Sequence, residues 1–201
     1  QVRAPGRPAD SALRSTLEAG HVDPLGRAWQ PVRAYDANLA MIGMLRLDAQ
    51  VRPVAEAWLR WQAGQIAARP AGDARAGIVG DRWVRADDLA LSACPPGLAA
   101  AQCDDVDAFD STAASLLLLA DAWQRHGGDA ALLREPALRD ALGAAAGALG
   151  RLARRDGLTI AKPDHPVAYT MDAVEALAGL RAWARLQREP LARPAAAART
   201  D

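Results

Sequence analysis

The chain's only lysine, Lys162, lies in AKPDHPVAYTMD (161–172) beside Asp164, His165, Tyr169 and Asp172. All other basic residues are arginine, so one ammonium among carboxylates marks a place to grip a polar ligand by charge-assisted hydrogen bonds. Two more singletons mark polar clusters: the only asparagine, Asn38, in YDAN with Tyr35 and Asp36, and the only phenylalanine, Phe109, in DAFDS. Asp107 and Asp110 are three residues apart, a spacing that on a helical turn places their Cβ atoms about 5–6 Å apart, where like charges raise one pKa. One protonated and one ionised carboxyl can do acid–base hydrolysis. Asp36, Asp164, Asp172 and Glu175 complete the pool of acids. Asp110 also reads as a helix N-cap, which leaves Asp107 as the stronger catalytic candidate, and Tyr169 shares a helical face with Asp172. Asp107, Asp110 and Asp172 are the catalytic candidates; Tyr35, Asp36, Asn38, Trp83, Lys162, Asp164 and Tyr169 are the binding candidates.

Other chemistries lack their signatures. The sequence has no G-x-S-x-G elbow, P-loop, glycine-rich dinucleotide fingerprint or H-E-x-x-H. His21, His126 and His165 are too scattered for a histidine-rich metal centre, so neither metal nor cofactor is expected, and proline-flanked His165 reads as a rim residue.

Helices must position these groups. Leu39, Ile42, Leu45 and Leu47 recur at helical spacing over 32–49, and Pro53 forces a break before a second helix over 54–68 with Trp58, Leu59, Trp61 and Ile66 on one stripe. Asp110-Ser111-Thr112 caps a third helix that Gly127-Gly128 stops, and a return helix spans 130–154. The last helix, 169–187, places Met171, Val174, Leu177, Leu180 and Trp183 on one side, which reads as its core face. Between 73 and 105 the periodicity fails; Ile78 to Val84 reads as a short β-hairpin turning at Gly80-Asp81. Trp58, Trp61, Trp123 and Trp183 read as core, while Trp29 and Trp83, outside the helices, are candidate flat platforms for a ligand. YDAN, DAFDS and AKPDHPVAYTMD each lead into an outgoing helix, so hairpins stacked in one orientation would gather all three clusters at one end.

Length and composition bound the rest. A chain of 201 residues fits a single helical domain, with 1–10 and 190–201 expected as frayed tails. Scarce aromatics and abundant alanine and leucine favour an all-α fold. Acidic and basic residues balance at 24 each, and no basic run is interleaved with aromatics, which argues against nucleic acid. No apolar run is long enough to span a membrane. The opening QVRAPGRPAD reads as the leader left after signal-peptide removal, although a chain trimmed at that point would look the same. Cys94 and Cys103 bracket a short loop and read as a disulfide ahead of two free thiols, which suits an exported, periplasmic or extracellular protein.

At YDANLAMIGML (from Tyr35), DAFDSTAASLLLLADAW (from Asp107) and DGLTIAKPDHPVAYTMDAVEALAGL (from Asp156), the chain resembles the six-hairpin glycosidases, the (α/α)6 toroids. The resemblance spans about residues 30–186. It implies stacked αα-hairpins forming part of a toroid, and paired aspartates acting on a poly- or oligosaccharide; Trp83 would then be a sugar platform. The alternative is a non-catalytic glycan-binding or accessory protein on a shortened scaffold. Alanines at Ala168, Ala173 and Ala176 stand where larger polar or aromatic groups are expected, leaving outer subsites bare. A full toroid needs about twelve helices, more than this chain supplies at about 11–12 residues each. Open helix faces would then be covered by a second subunit or by a further C-terminal half.

Overall fold

The computed structural model describes residues 20–70 and 72–188. The frayed tails expected at 1–10 and 190–201 lie outside them. The all-α expectation is overturned: helix makes up 56% of the described residues, and the rest includes a four-stranded antiparallel sheet. The described residues cluster into two compact units. One holds residues 20–32 with 81–105, the other 33–80 with 106–188.

The smaller unit is the sheet, in the order β1 (His21–Val22), β2 (Ala28–Val32), β3 (Arg82–Arg85) and β4 (Leu91–Ser92). Its register pairs Trp29 with Arg85 and Pro31 with Trp83. Asp23 organises the β1–β2 turn: its carboxylate accepts from the Leu25 and Arg27 N–H groups and from the Trp29 ring N–H at 3.1 Å. Burial alone would raise its pKa, but these donors and the Arg27 guanidinium hold the carboxyl well below the usual range. The expected hairpin at 78–84 does not form; only 82–85 is strand, and its partners are β2 and β4. Pairing with residues far off in sequence decided this, and the local pattern around Gly80 carries no trace of it. Cys94 and Cys103 form a disulfide across the loop that follows β4.

The larger unit contains α1 (Ala34–Leu47), α2 (Arg52–Ala67), α3 (Phe109–Arg125), α4 (Ala130–Arg134), α5 (Pro136–Leu152) and α6 (Thr170–Arg188). Pro53 sits in the first turn of α2, where its missing N–H costs nothing, and Pro136 likewise opens α5, so the expected single return helix is two. α3 is the central element, with Leu116, Leu117, Leu119, Ala120 and Trp123 buried.

α6 corrects its amphipathic reading. Met171 and Val174, at 67% and 62% exposure, face outward with Leu177 and Leu180, while Ala176, Gly179 and Ala182 are buried. Small residues allow a closer approach to α3 than large ones: a Cβ on Gly179 would lie 2.8 Å from Ala114 Cα and 2.9 Å from its Cβ. Further along, Arg185 of α6 grips Asp121 of α3 through two bonds of 3.1 and 2.8 Å. The order of these contacts is the same along both helices, so α3 and α6 run parallel with their N-termini together. The loop after α2 is held similarly: Gly77, at φ +84°, lies where any Cβ would strike the Ala144 carbonyl of α5. No helix among the described residues is long and apolar enough to cross a membrane.

Replacing Gly179 by valine overpacks the α3–α6 contact and is expected to cost about 1–3 kcal/mol, read as a lower midpoint in thermal or denaturant unfolding. An unchanged midpoint would show that the close approach is not needed.

Candidate functional site

The parallel pairing of α3 and α6 sets the acids of their first turns against each other. Asp110 is fully buried near the start of α3. It does not cap the helix, as its sequence context suggested; Ala108 occupies the N-cap, and Phe109 N–H donates to Ala161 O at 2.6 Å. That bond pins the 156–169 segment to the helix start. Thr159, carried by the same segment, donates its hydroxyl to Asp110 Oδ2 at 2.7 Å, while Asp110 Oδ1 accepts from Ser111 N–H at 2.9 Å. Burial pushes the Asp110 carboxyl up, against these donors, and the Glu175 charge adds to the rise.

Asp172, 6% exposed, lies in the first turn of α6. Burial raises its pKa, and the negative charges of Asp110, Glu175 and Asp107 raise it further. Ser111 faces Asp172 and offsets part of this, though its buried Oγ completes no hydrogen bond of ordinary geometry. One turn on, Glu175 Oε1 accepts from the Tyr35 hydroxyl at 2.6 Å, which ties α1 to α6. Burial and the Glu175 carboxylate, with Asp36 and Asp172 adding, drive the Tyr35 phenol well above its usual range. Glu175 Oε2 is buried and accepts no hydrogen bond.

The structure therefore brings together Tyr35, Asp107, Asp110 and Asp172. Asp107 is exposed at the edge of the group, and Asp36, also exposed, lies 3.9 Å from Arg33. Asn38 takes another role. Fully buried, it donates to Ser115 Oγ at 2.9 Å and to Gln62 Oε1, and it accepts from Gln62 Nε2 at 2.9 Å and Trp58 Nε1 at 2.8 Å. It links α1, α2 and α3, and its amide has no capacity left for a ligand. Lys162 donates to Val106 O at 3.2 Å and holds the chain leading to Asp107. Asp164, His165 and Tyr169 are exposed, with His165 Nε2 and Tyr169 OH 3.1 Å apart and their rings stacked.

Among the tryptophans, Trp29 is buried and bonded to Asp23, which removes it as a platform. Trp83 belongs to the sheet unit, where it is half-buried and meets His21 edge-on. Trp58 and Trp61 stack on each other against the core. Sequence reasoning missed Thr159, Ser111, Gln62 and Ser115, and ranked Glu175 below the aspartates. Thr159 sits inside the DGLTIAKPD string, but a lone hydroxyl has no spacing that announces it.

Among the described residues, no group of three or more His, Cys, Asp or Glu side chains is placed to hold a metal ion. No family model matches the chain, and neither does any curated protein or solved structure.

Asp172 ties site chemistry to stability. Its folded pKa is raised, so the folded state holds a proton that the unfolded chain has released, and stability falls as pH rises from the ordinary carboxyl range through the raised value. Asp172→Asn removes that loss. The melting temperature of the variant is expected to exceed the parent's at neutral pH, with the gap closing in acid; a gap independent of pH would refute the raised pKa.

Proposed function

We propose that the helical unit carries a carbohydrate-active site, similar to that of a glycoside hydrolase, which acts on a poly- or oligosaccharide. One observation supports it above the rest: two buried carboxyls remote in sequence, Asp110 and Asp172, sit at adjacent helix N-termini with an exposed carboxyl, Asp107, beside them. Asp172, whose pKa is raised by burial and by the neighbouring charges, is the proton donor to the leaving oxygen. Asp107, open to solvent, is the partner that activates water. Asp110 touches neither by a hydrogen bond; its charge raises the Asp172 pKa, which makes it a positioning residue. The two helix N-termini favour negative charge and ease the burial of the pair. The disulfide suits an oxidising compartment, and we place the protein outside the cytoplasm.

A second reading draws on the stacked, exposed pair of His165 and Tyr169. Aromatic faces bind sugar rings without any need for acid chemistry, and binding alone would then be the activity.

Turnover of a glycan panel separates the two. Asp172→Asn and Asp107→Asn are expected to lower kcat by about 100-fold or more. Binding without turnover by the parent protein would favour the second reading, and a folded protein that binds no glycan would defeat both.

A further inference from the structure

The electrostatic make-up of the acid cluster narrows its ligand. Asp107, Asp110 and Glu175 all act on Asp172 with the same sign, and Asp36, Asp172 and Glu175 act on Tyr35. The chain's one lysine, Lys162, donates to the Val106 carbonyl. Clustered acids alone would not make a site; the unfilled hydrogen-bonding capacity beside them points to a ligand. Glu175 Oε2 is buried and accepts nothing, although Oε1 of the same carboxylate takes the Tyr35 proton. Ser111, 5% exposed and facing Asp172, has a buried Oγ that completes no ordinary hydrogen bond. Buried acceptors left in this state call for a donor.

Three kinds of saccharide group can be weighed against these observations. A carboxylated or sulfated sugar would add negative charge to a site already crowded with it. A neutral hydroxyl could donate to Glu175 Oε2 but would leave the like-charge repulsion untouched. A protonated amine offers three donors and no acceptor, which matches an acceptor-rich cluster, and its charge offsets the surrounding carboxylates. A bare metal ion would answer the charge, but no suitable group of ligating side chains occurs among the described residues.

We infer that the saccharide bound here carries a free amine, with its ammonium seated against Glu175 Oε2 and the Ser111 hydroxyl beside it. This rests on the carbohydrate reading above and specifies its substrate class. It also assigns Glu175 the job of recognising the ligand, with Tyr35 fixing one carboxylate oxygen so that the other faces the amine.

The test is direct binding of linkage-matched glucosamine and glucose oligosaccharides, across several linkages, at mildly acidic pH where the amine is protonated. Titration calorimetry is expected to show the glucosamine oligomer bound about 10-fold tighter. That preference should shrink toward equality in Glu175→Gln and at high salt. Glu175 holds Tyr35, so the variant can lose stability; Asp107→Asn, at an exposed position, tests the same loss of preference without disturbing a buried bond. Equal or tighter binding of the glucose oligomers would overturn the inference and leave the carbohydrate reading standing. Binding of neither by the folded protein would overturn both.

Discussion

The approach of α6 to α3 through Gly179 and its alanine neighbours is the constraint on which the site depends. A helix that presents leucine and methionine to its neighbour keeps a wide separation, whereas one that presents glycine and alanine brings backbones close. Here the closeness is used at the N-terminal end, where Asp172 and Asp110 are buried near each other and their charges interact. At the other end the Asp121–Arg185 pair fixes register, so the two first turns cannot slide apart. Register, closeness and the raised carboxyl pKa values are one arrangement seen at three points along the same pair of helices.

Around that pair, the remaining elements act as clamps. The segment before α6 is bonded to the start of α3 through Ala161, to Asp110 through Thr159, and to the chain before Asp107 through Lys162. Tyr35 reaches from α1 to Glu175. The buried amide pair of Asn38 and Gln62, completed by Ser115 and Trp58, ties α1, α2 and α3 together away from the acids. Such a network is fully satisfied, which is why it rigidifies the unit and does not bind.

Much of this was legible from residue spacing. Alanine and leucine at helical intervals located the long helices to within a few residues, because a 3.6-residue period survives any tertiary context. The three singletons led to structurally engaged positions, but for different reasons: Asn38 is a core amide, and Phe109 opens α3. Three features were not legible. The sheet depends on pairing between residues 21–32 and 82–92, which no local pattern announces. α6 was read inside out, since hydrophobicity alone cannot distinguish a face that packs by size from one that packs by closeness. Asp110 looked like a cap because Asp-Ser-Thr ahead of an apolar run is the usual cap pattern, yet the helix begins two residues earlier than that cap implies, with Ala108 as its N-cap, and draws the Asp110 carboxyl inward.

The outward face of α6 has a consequence for how the molecule behaves in bulk. Met171, Val174, Leu177 and Leu180 form a ridge of sulfur and hydrocarbon along one side of a single rigid rod. Intimate seating of small side chains within obliges the bulky ones to remain outside, so the same spacing that assembles the acids gives this flank an affinity for oil-like surfaces. Adhesion to air–water interfaces, plastics and hydrophobic resins follows from the rod's orientation, and polar replacements along the ridge would relieve it without altering the spacing between the rods.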